Sequence, residues 1–203
     1  VGNPVRSEIA AVSSPELRYA ERSGPLRVLV VGGSLGAAVL NEVVPAALAQ
    51  IPESRRPVVT HQAGAKQIDA LRAAYGNARV DGELLPFIED MAERYARADL
   101  VICRSGALTV AELAAVGVAS VLVPFPHAVD DHQSANARFL SEQGAAVLIP
   151  QKELDPARLA ALLDSLDRNA LTGMACQARK LARPEAARAV ADICVELAEG
   201  ARK

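Results

Sequence analysis

The sequence predicts an α/β domain built on an open parallel sheet with helices on both faces. Three observations predict it. Short, continuous apolar runs, led by Arg27-Val28-Leu29-Val30-Val31, end in turn residues, as strands buried on both faces do. Between such runs lie segments with apolar residues at helical spacing, the clearest being Val39, Leu40, Val43, Val44, Ala47 and Leu48. The two patterns then alternate as far as about residue 150 with no repeat or low-complexity tract to compete, which makes a βαβ series.

Taken in order, residues 1–25 carry Pro4, Pro15, Pro25, Ser13, Ser14, Ser23 and Gly24 and read as an interdomain linker with one helical turn at most. The domain proper is expected over 26–203. After the 27–31 strand come the turn Gly32-Gly33-Ser34-Leu35-Gly36 and the first helix. Pro57–His61 reads as a strand, Lys66–Tyr75 as a helix, Ala78–Val80 as a weak strand and Ile88–Arg97 as a helix. Asp99–Cys103 is a strand and Leu108–Val116 a helix stopped by Gly117. Ser120–Pro124 is a strand, Asp131–Gln143 a helix stopped by Gly144, and Ala145–Ile149 the last strand. Two or three helices close the chain, with Pro156 and Pro184 near the starts of two of them.

Composition narrows the function classes. Of 203 residues 51% are hydrophobic, enough for a packed core and against disorder. Aromatics are 3% and Trp is absent, which favours closely packed helices over an all-β sandwich. The net charge of −2 and the lack of any basic run argue against a nucleic-acid partner. Cys103, Cys176 and Cys194 lie too far apart for a metal or redox motif and read as thiols of a reducing compartment. No apolar stretch is long enough to span a bilayer and no signal peptide is visible, so the expectation is a cytoplasmic protein. The chain starts on Val1, and its first two dozen residues lack a strand-helix pattern, so it reads as a piece of something longer.

Ligands of open α/β sheets sit at the C-terminal strand ends, and four loops there are chemically unusual. In the first, Gly32, Gly33 and Gly36 let the backbone approach a phosphate, the Ser34 hydroxyl can donate to it, and a helix start follows. A plain tight turn also fits. The G-x-G-x-x-G spacing is missing, and the next strand ends His61-Gln62-Ala63 without the acid that holds an NAD ribose; no Gly-Lys-Ser/Thr marks a P-loop. In the second, Ser105-Gly106 precedes a helix whose first N–H groups form another anion site, and Glu112 suits either vicinal ribose hydroxyls or the helix dipole. The third holds His127, Asp130, Asp131, His132 and Gln133. That set is too sparse for a metal; Asp131 reads as an N-cap, and Gln133 as an amide free to read sugar hydroxyls. The fourth, Leu85-Pro86-Phe87-Ile88-Glu89-Asp90-Met91, offers a backbone edge for a flat base or is simply a core-anchored loop.

Together these loops resemble the C-terminal domain of the MurG family. The likeness is carried by Gly2-Asn3-Pro4-Val5-Arg6, the Gly-Gly-Ser-Leu-Gly-Ala turn from Gly32, Phe87-Ile88-Glu89-Asp90-Met91, the run from Cys103 to Glu112, and residues 124–136. The resemblance implies a Rossmann-like domain, the C-terminal half of a two-domain GT-B glycosyltransferase. It implies inverting transfer of N-acetylglucosamine from UDP-N-acetylglucosamine to undecaprenyl-pyrophosphoryl-muramyl-pentapeptide in peptidoglycan synthesis, without metal or other cofactor. By likeness Arg6 and Ser34 meet the diphosphate region, and Ile88 holds uracil through its main chain. Ala107, Leu108, Thr109 and Val110 line the phosphates with N–H groups, and Ala111 continues that stretch. Glu112 binds ribose, and Gln133 binds the sugar hydroxyls. The loop before Gln133 varies in length within the family, so His132 is the alternative there. The family's acceptor half, with its glycine-rich turn ending in His, has no counterpart in the chain, so no catalytic base is expected in it. The lipid-linked acceptor is expected to bind through that half, and a peripheral contact with the cytoplasmic membrane face is expected of the full protein. The final helix, around Val190, Ile193 and Leu197, is then expected to be partly unpacked.

Two other classes fit the fold. A UDP-N-acetylglucosamine epimerase-like enzyme has His127 and Asp130 as its only candidate groups, and a non-catalytic nucleotide-sugar-binding module needs neither.

Overall fold

The computed structural model describes residues 1–33, 36–126 and 131–200. Its centre is a six-stranded, fully parallel sheet: β1 (Arg27–Val31), β2 (Val58–Gln62), β3 (Glu83–Leu85), β4 (Leu100–Cys103), β5 (Ala119–Leu122) and β6 (Ala146–Leu148), in the order β3-β2-β1-β4-β5-β6. Alternate side chains feed two cores. Val28, Val30, Leu100, Ile102 and Val121 pack on one face against α3 (Ala38–Leu48), α4 (Ile68–Ala78), α8 (Pro156–Ser165) and α9 (Arg168–Lys180). Leu29, Val101, Cys103 and Leu122 pack on the other against α1 (Ser7–Ala10), α5 (Met91–Arg97), α6 (Ala107–Val116) and α7 (His132–Ser141). This is the predicted Rossmann-like sheet with both faces covered.

Helix ends follow the glycine signals. At Gly117 (φ 65°) the chain turns left-handed, with the Val118 N–H donating to Leu113 and the Gly117 N–H to Ala114, and Gly144 (φ 68°) repeats the arrangement at the end of α7. Gly117 also has no room for a side chain: a Cβ would lie 2.6 Å from Pro15 Cγ. One strand falls elsewhere than expected. Residues 78–80 are not a strand, because α4 runs to Ala78 and stops on Arg79 (φ 53°), whose following N–H returns to Tyr75. The paired strand is Glu83–Leu85, in register with Thr60–Gln62.

Residues 1–25 hold more structure than the one turn expected. Besides α1 there is α2 (Pro15–Ala20), and both lie on the domain. Ile9 is fully buried among the residues of α5 and α6. Arg18 donates to Ala96, Val116 and Gly117 carbonyls at the ends of α5 and α6, and the Tyr19 hydroxyl donates to Asp99 O at 2.7 Å. Proline and serine content gave no hint of these contacts, since they depend on carbonyls some 80–100 residues away. At the other terminus α10 (Ala186–Gly200) exposes Ile193, Val195 and Leu197, the last at 69%, so this helix is only partly packed.

Candidate functional site

The strand order puts β1 beside β4, and the chain leaves these neighbours toward opposite faces, to α3 and to α6. A crevice therefore opens between the two following loops, the place where ligands bind in such sheets.

On its β1 side the glycines shape a turn rather than offer donors. The Gly32 N–H donates to Gln62 O (3.1 Å), the Gly33 N–H to Gln62 Oε1 (3.0 Å) and the Gly36 N–H to Gly33 O (3.0 Å). Gly36 must be glycine: φ is 77°, and a Cβ would sit 2.4 Å from Ala63 O. Ser34 lies outside the described residues.

On the β4 side α6 starts at Gly106, with no side chain capping it. The N–H groups of Ala107, Leu108 and Thr109 have no acceptor within the helix, an arrangement that with the dipole suits an anion. Val110 does not extend it. Its N–H donates to Gly106 O at 2.9 Å, closing the first turn, and its side chain is buried, so the expectation that it is a fourth donor is corrected. Ala111 follows it into the helix interior. Ser105, fully buried, is a strut: Oγ donates to Gln133 O (2.8 Å), and Asn136 Nδ2 donates to Ser105 O (3.0 Å).

That strut ties the second loop to the third. Gln133 Oε1 accepts the Phe125 N–H (3.0 Å), and Arg104 donates to Val123 O and Pro124 O (both 3.1 Å) and to Gln151 Oε1 (2.7 Å). So the amide oxygen of Gln133 is committed to the loop. Asp131 stands at the N-cap of α7, accepting the Ser134 hydroxyl (2.5 Å) instead of a backbone N–H. His127 and Asp130, the epimerase candidates, lie outside the described residues. Among the described residues no group of three or more His, Cys, Asp or Glu is placed to hold a metal ion.

Glu112 is in the second turn of α6 with its side chain 18% exposed. Oε1 accepts from Arg6 Nη2 at 3.3 Å and Oε2 from the Tyr95 hydroxyl at 3.2 Å. Asn3 Nδ2 reaches Ala107 O at 3.4 Å, so the first residues of the chain run along the start of α6. Burial, with Cys103 and Glu112 adding negative potential, holds the Tyr95 hydroxyl well above its ordinary value. Burial first and Glu112 second push the Cys103 thiol up to about 12. Ile88 is buried beside Tyr95 in the same core, which anchors the fourth loop, while Phe87 is exposed. Arg6, Glu112, the Ile88 loop and the start of α6 thus come together; Tyr95, Gln62 and Arg104 join them unforeseen, because each acts on a partner distant in sequence.

A separate groove of about 650 Å³ runs between α6 and α7, lined by Val5, Ala107, Val110, Ala114, Phe139 and Leu181. It includes neither the glycine turn, Glu112 nor Gln133, so it adjoins the crevice and is not the same place.

A parallel sheet in this order, with an uncapped helix start at its switch point, defines a Rossmann-like domain of the doubly wound type. Residues 27–193 match the glycosyltransferase family 28 C-terminal domain, and the chain belongs to that family. It is 68% identical over 203 residues to a protein of Aromatoleum aromaticum, covering all of this chain and 57% of the relative. It is 70% identical over 200 residues to one of Azoarcus sp., covering 98% and 56%. Both are named UDP-N-acetylglucosamine--N-acetylmuramyl-(pentapeptide) pyrophosphoryl-undecaprenol N-acetylglucosamine transferase. The crystal structure of Acinetobacter baumannii MurG superposes with a TM-score of 0.85 at 46% identity over 91% of this chain and 54% of that one. The chain thus spans a little over half the length of these relatives.

Proposed function

We propose that this chain is the donor-binding domain of an inverting N-acetylglucosaminyltransferase, which takes the sugar from UDP-N-acetylglucosamine and places it on a lipid-linked muramyl-pentapeptide. The observation that carries the reading is the uncapped start of α6, which follows β4 at the strand end paired with β1, with the Arg6–Glu112 pair alongside. The relatives' names supply the substrates.

In this reading the N–H groups of Ala107, Leu108 and Thr109 receive the diphosphate, helped by Arg6 and Ser34. The charge that grows on UDP as the glycosidic bond breaks is met by preorganised donors, which need no metal. The carboxylate of Glu112 takes the ribose hydroxyls, the Ile88 main chain takes the uracil edge, and Gln133, or His132 beside it, takes the sugar. The acceptor hydroxyl attacks the anomeric carbon from the face opposite UDP, which inverts it, and its proton goes to a base on a further domain. Residues 1–25 are then the connection to that domain, and the exposed apolar side chains of α10 belong to the boundary with it. Membrane contact, on the cytoplasmic face, comes with the longer protein; among the described residues no helix is long and apolar enough to cross a bilayer.

Two expected results follow from the division of labour. Glu112→Ala should fold and bind UDP-N-acetylglucosamine at least about tenfold more weakly, since hydrogen bonds to a charged group are worth about 1.5–3 kcal/mol. Unchanged calorimetric affinity would remove Glu112 from the site. The unsubstituted chain should transfer no sugar to a lipid-linked acceptor until the remaining part of a full-length relative, made separately, is added. Transfer by this chain alone would place the base among its own residues and contradict the proposal.

A further inference from the structure

We infer that Gln62 is a positioning residue that clamps the glycine turn to the Pro86–Ile88 loop, setting the span between the diphosphate and base ends of the donor site; the inference rests on the donor reading above. Gln62 ends β2, between Val31 of β1 and Leu85 of β3, so both loops leave from residues paired with it. It is only 3% exposed, in a buried strand end where an apolar side chain would be the ordinary choice. Every polar atom of the amide is used. Oε1 accepts the Gly33 N–H (3.0 Å), and Nε2 donates one hydrogen to Gly33 O (3.0 Å) and the other to Pro86 O (3.2 Å). The main chain repeats the link, with Gly32 N–H donating to Gln62 O (3.1 Å) and Ala63 N–H to Leu85 O (2.9 Å).

A side chain that grips both the N–H and the C=O of Gly33 fixes the orientation of that peptide, and its third bond fixes the distance to the neighbouring loop. A ligand spanning both loops gains from this; one touching a single loop gains little. Gln62→Leu deletes all three bonds at similar volume. Gln62→Glu keeps the acceptor for Gly33 N–H but turns a charge toward two carbonyl oxygens.

The test uses the full 203-residue chain. Both variants are checked for folding by thermal unfolding, then titrated with UDP and with uridine. UDP binding should weaken about tenfold or more, and uridine binding by less than about threefold, in both variants. In ligand-free Gln62→Leu the Gly33 amide should exchange with solvent at least about tenfold faster than in the unsubstituted chain. A purely structural role would lower the melting temperature and leave the ratio of UDP to uridine affinity unchanged, and that outcome overturns the proposal. Equal protection of the Gly33 amide in Gln62→Leu overturns it too. Failure of the unsubstituted chain to bind UDP would instead overturn the donor reading, and with it the purpose assigned to the clamp.

Discussion

Replacing Asp99 by alanine is expected to lower the unfolding free energy by about 3–5 kcal/mol, the usual cost of stranding buried charge. Asp99 is fully buried at the N-terminal end of β4, opposite the ligand end of the sheet. Its Oδ1 meets Arg22 Nη1 at 2.6 Å; its Oδ2 meets Arg168 Nη2 at 3.3 Å and accepts the Arg27 N–H at 2.8 Å. Arg22 is itself nearly buried, with its guanidinium 4.5 Å from the centre of the Tyr19 ring. One carboxylate therefore holds the segment after α2, the start of β1 and the start of α9 to the same strand end, and its loss leaves two arginines without it. The exposed pair Asp69–Arg72 is the control: Asp69→Ala should change stability by less than about 1 kcal/mol. Urea unfolding measures both. Because Asp99 is remote from the crevice, folded Asp99→Ala should bind UDP as the parent does. A loss no larger than the control's would show that the network contributes nothing.

Mild acid should destabilise the protein through His61. Its imidazole is fully buried, with Nδ1 3.1 Å from the Tyr75 hydroxyl and Nε2 3.1 Å from Asn41 Oδ1. Burial lowers its pKa from 6.5 to about 3. The unfolded chain therefore takes up a proton near pH 6.5 that the folded chain refuses until about pH 3. The stabilisation is complete above the first value and is lost as pH falls toward the second. The slope is about 1.4 kcal/mol per pH unit, so some 2 kcal/mol should go between pH 7 and pH 5. Glu16 and Glu83 have lowered pKa values and contribute only at more acid pH, which keeps that interval for His61. His61→Gln, first shown to be folded at pH 8, should have a markedly flatter profile over the same range. An equal slope in the variant would assign the acid sensitivity elsewhere.

What the sequence made legible follows its local physics. Apolar runs, helical spacing and the glycine stops at Gly117 and Gly144 reflect choices made within a few residues, and they place most of the sheet and the start of α6. β3 lies beyond the expected residues 78–80 because Glu83–Leu85 has no strong pattern of its own and is a strand by pairing with β2. The helices α1 and α2 within residues 1–25 are not legible in the sequence, because Arg18 and Tyr19 owe their role to carbonyls of distant elements. The same holds within the site. Gly32–Gly36 and Ala107–Glu112 could be read from chemistry along the chain, whereas Gln62, Tyr95 and Arg104 matter through partners across the sheet. Val110 differs from its three predecessors because the helix begins at Ala107 and the fourth N–H is already spent on Gly106 O.

The central claim is that the β1–β4 crevice of this chain holds a UDP-sugar without a metal. A calorimetric titration in EDTA, with UDP-N-acetylglucosamine and then UDP-glucose, tests it most directly. The account predicts saturable binding of both, tighter for the acetamido sugar and unchanged when Mg²⁺ replaces the chelator. Absence of binding to either nucleotide sugar, or binding that appears only with the metal, would contradict it.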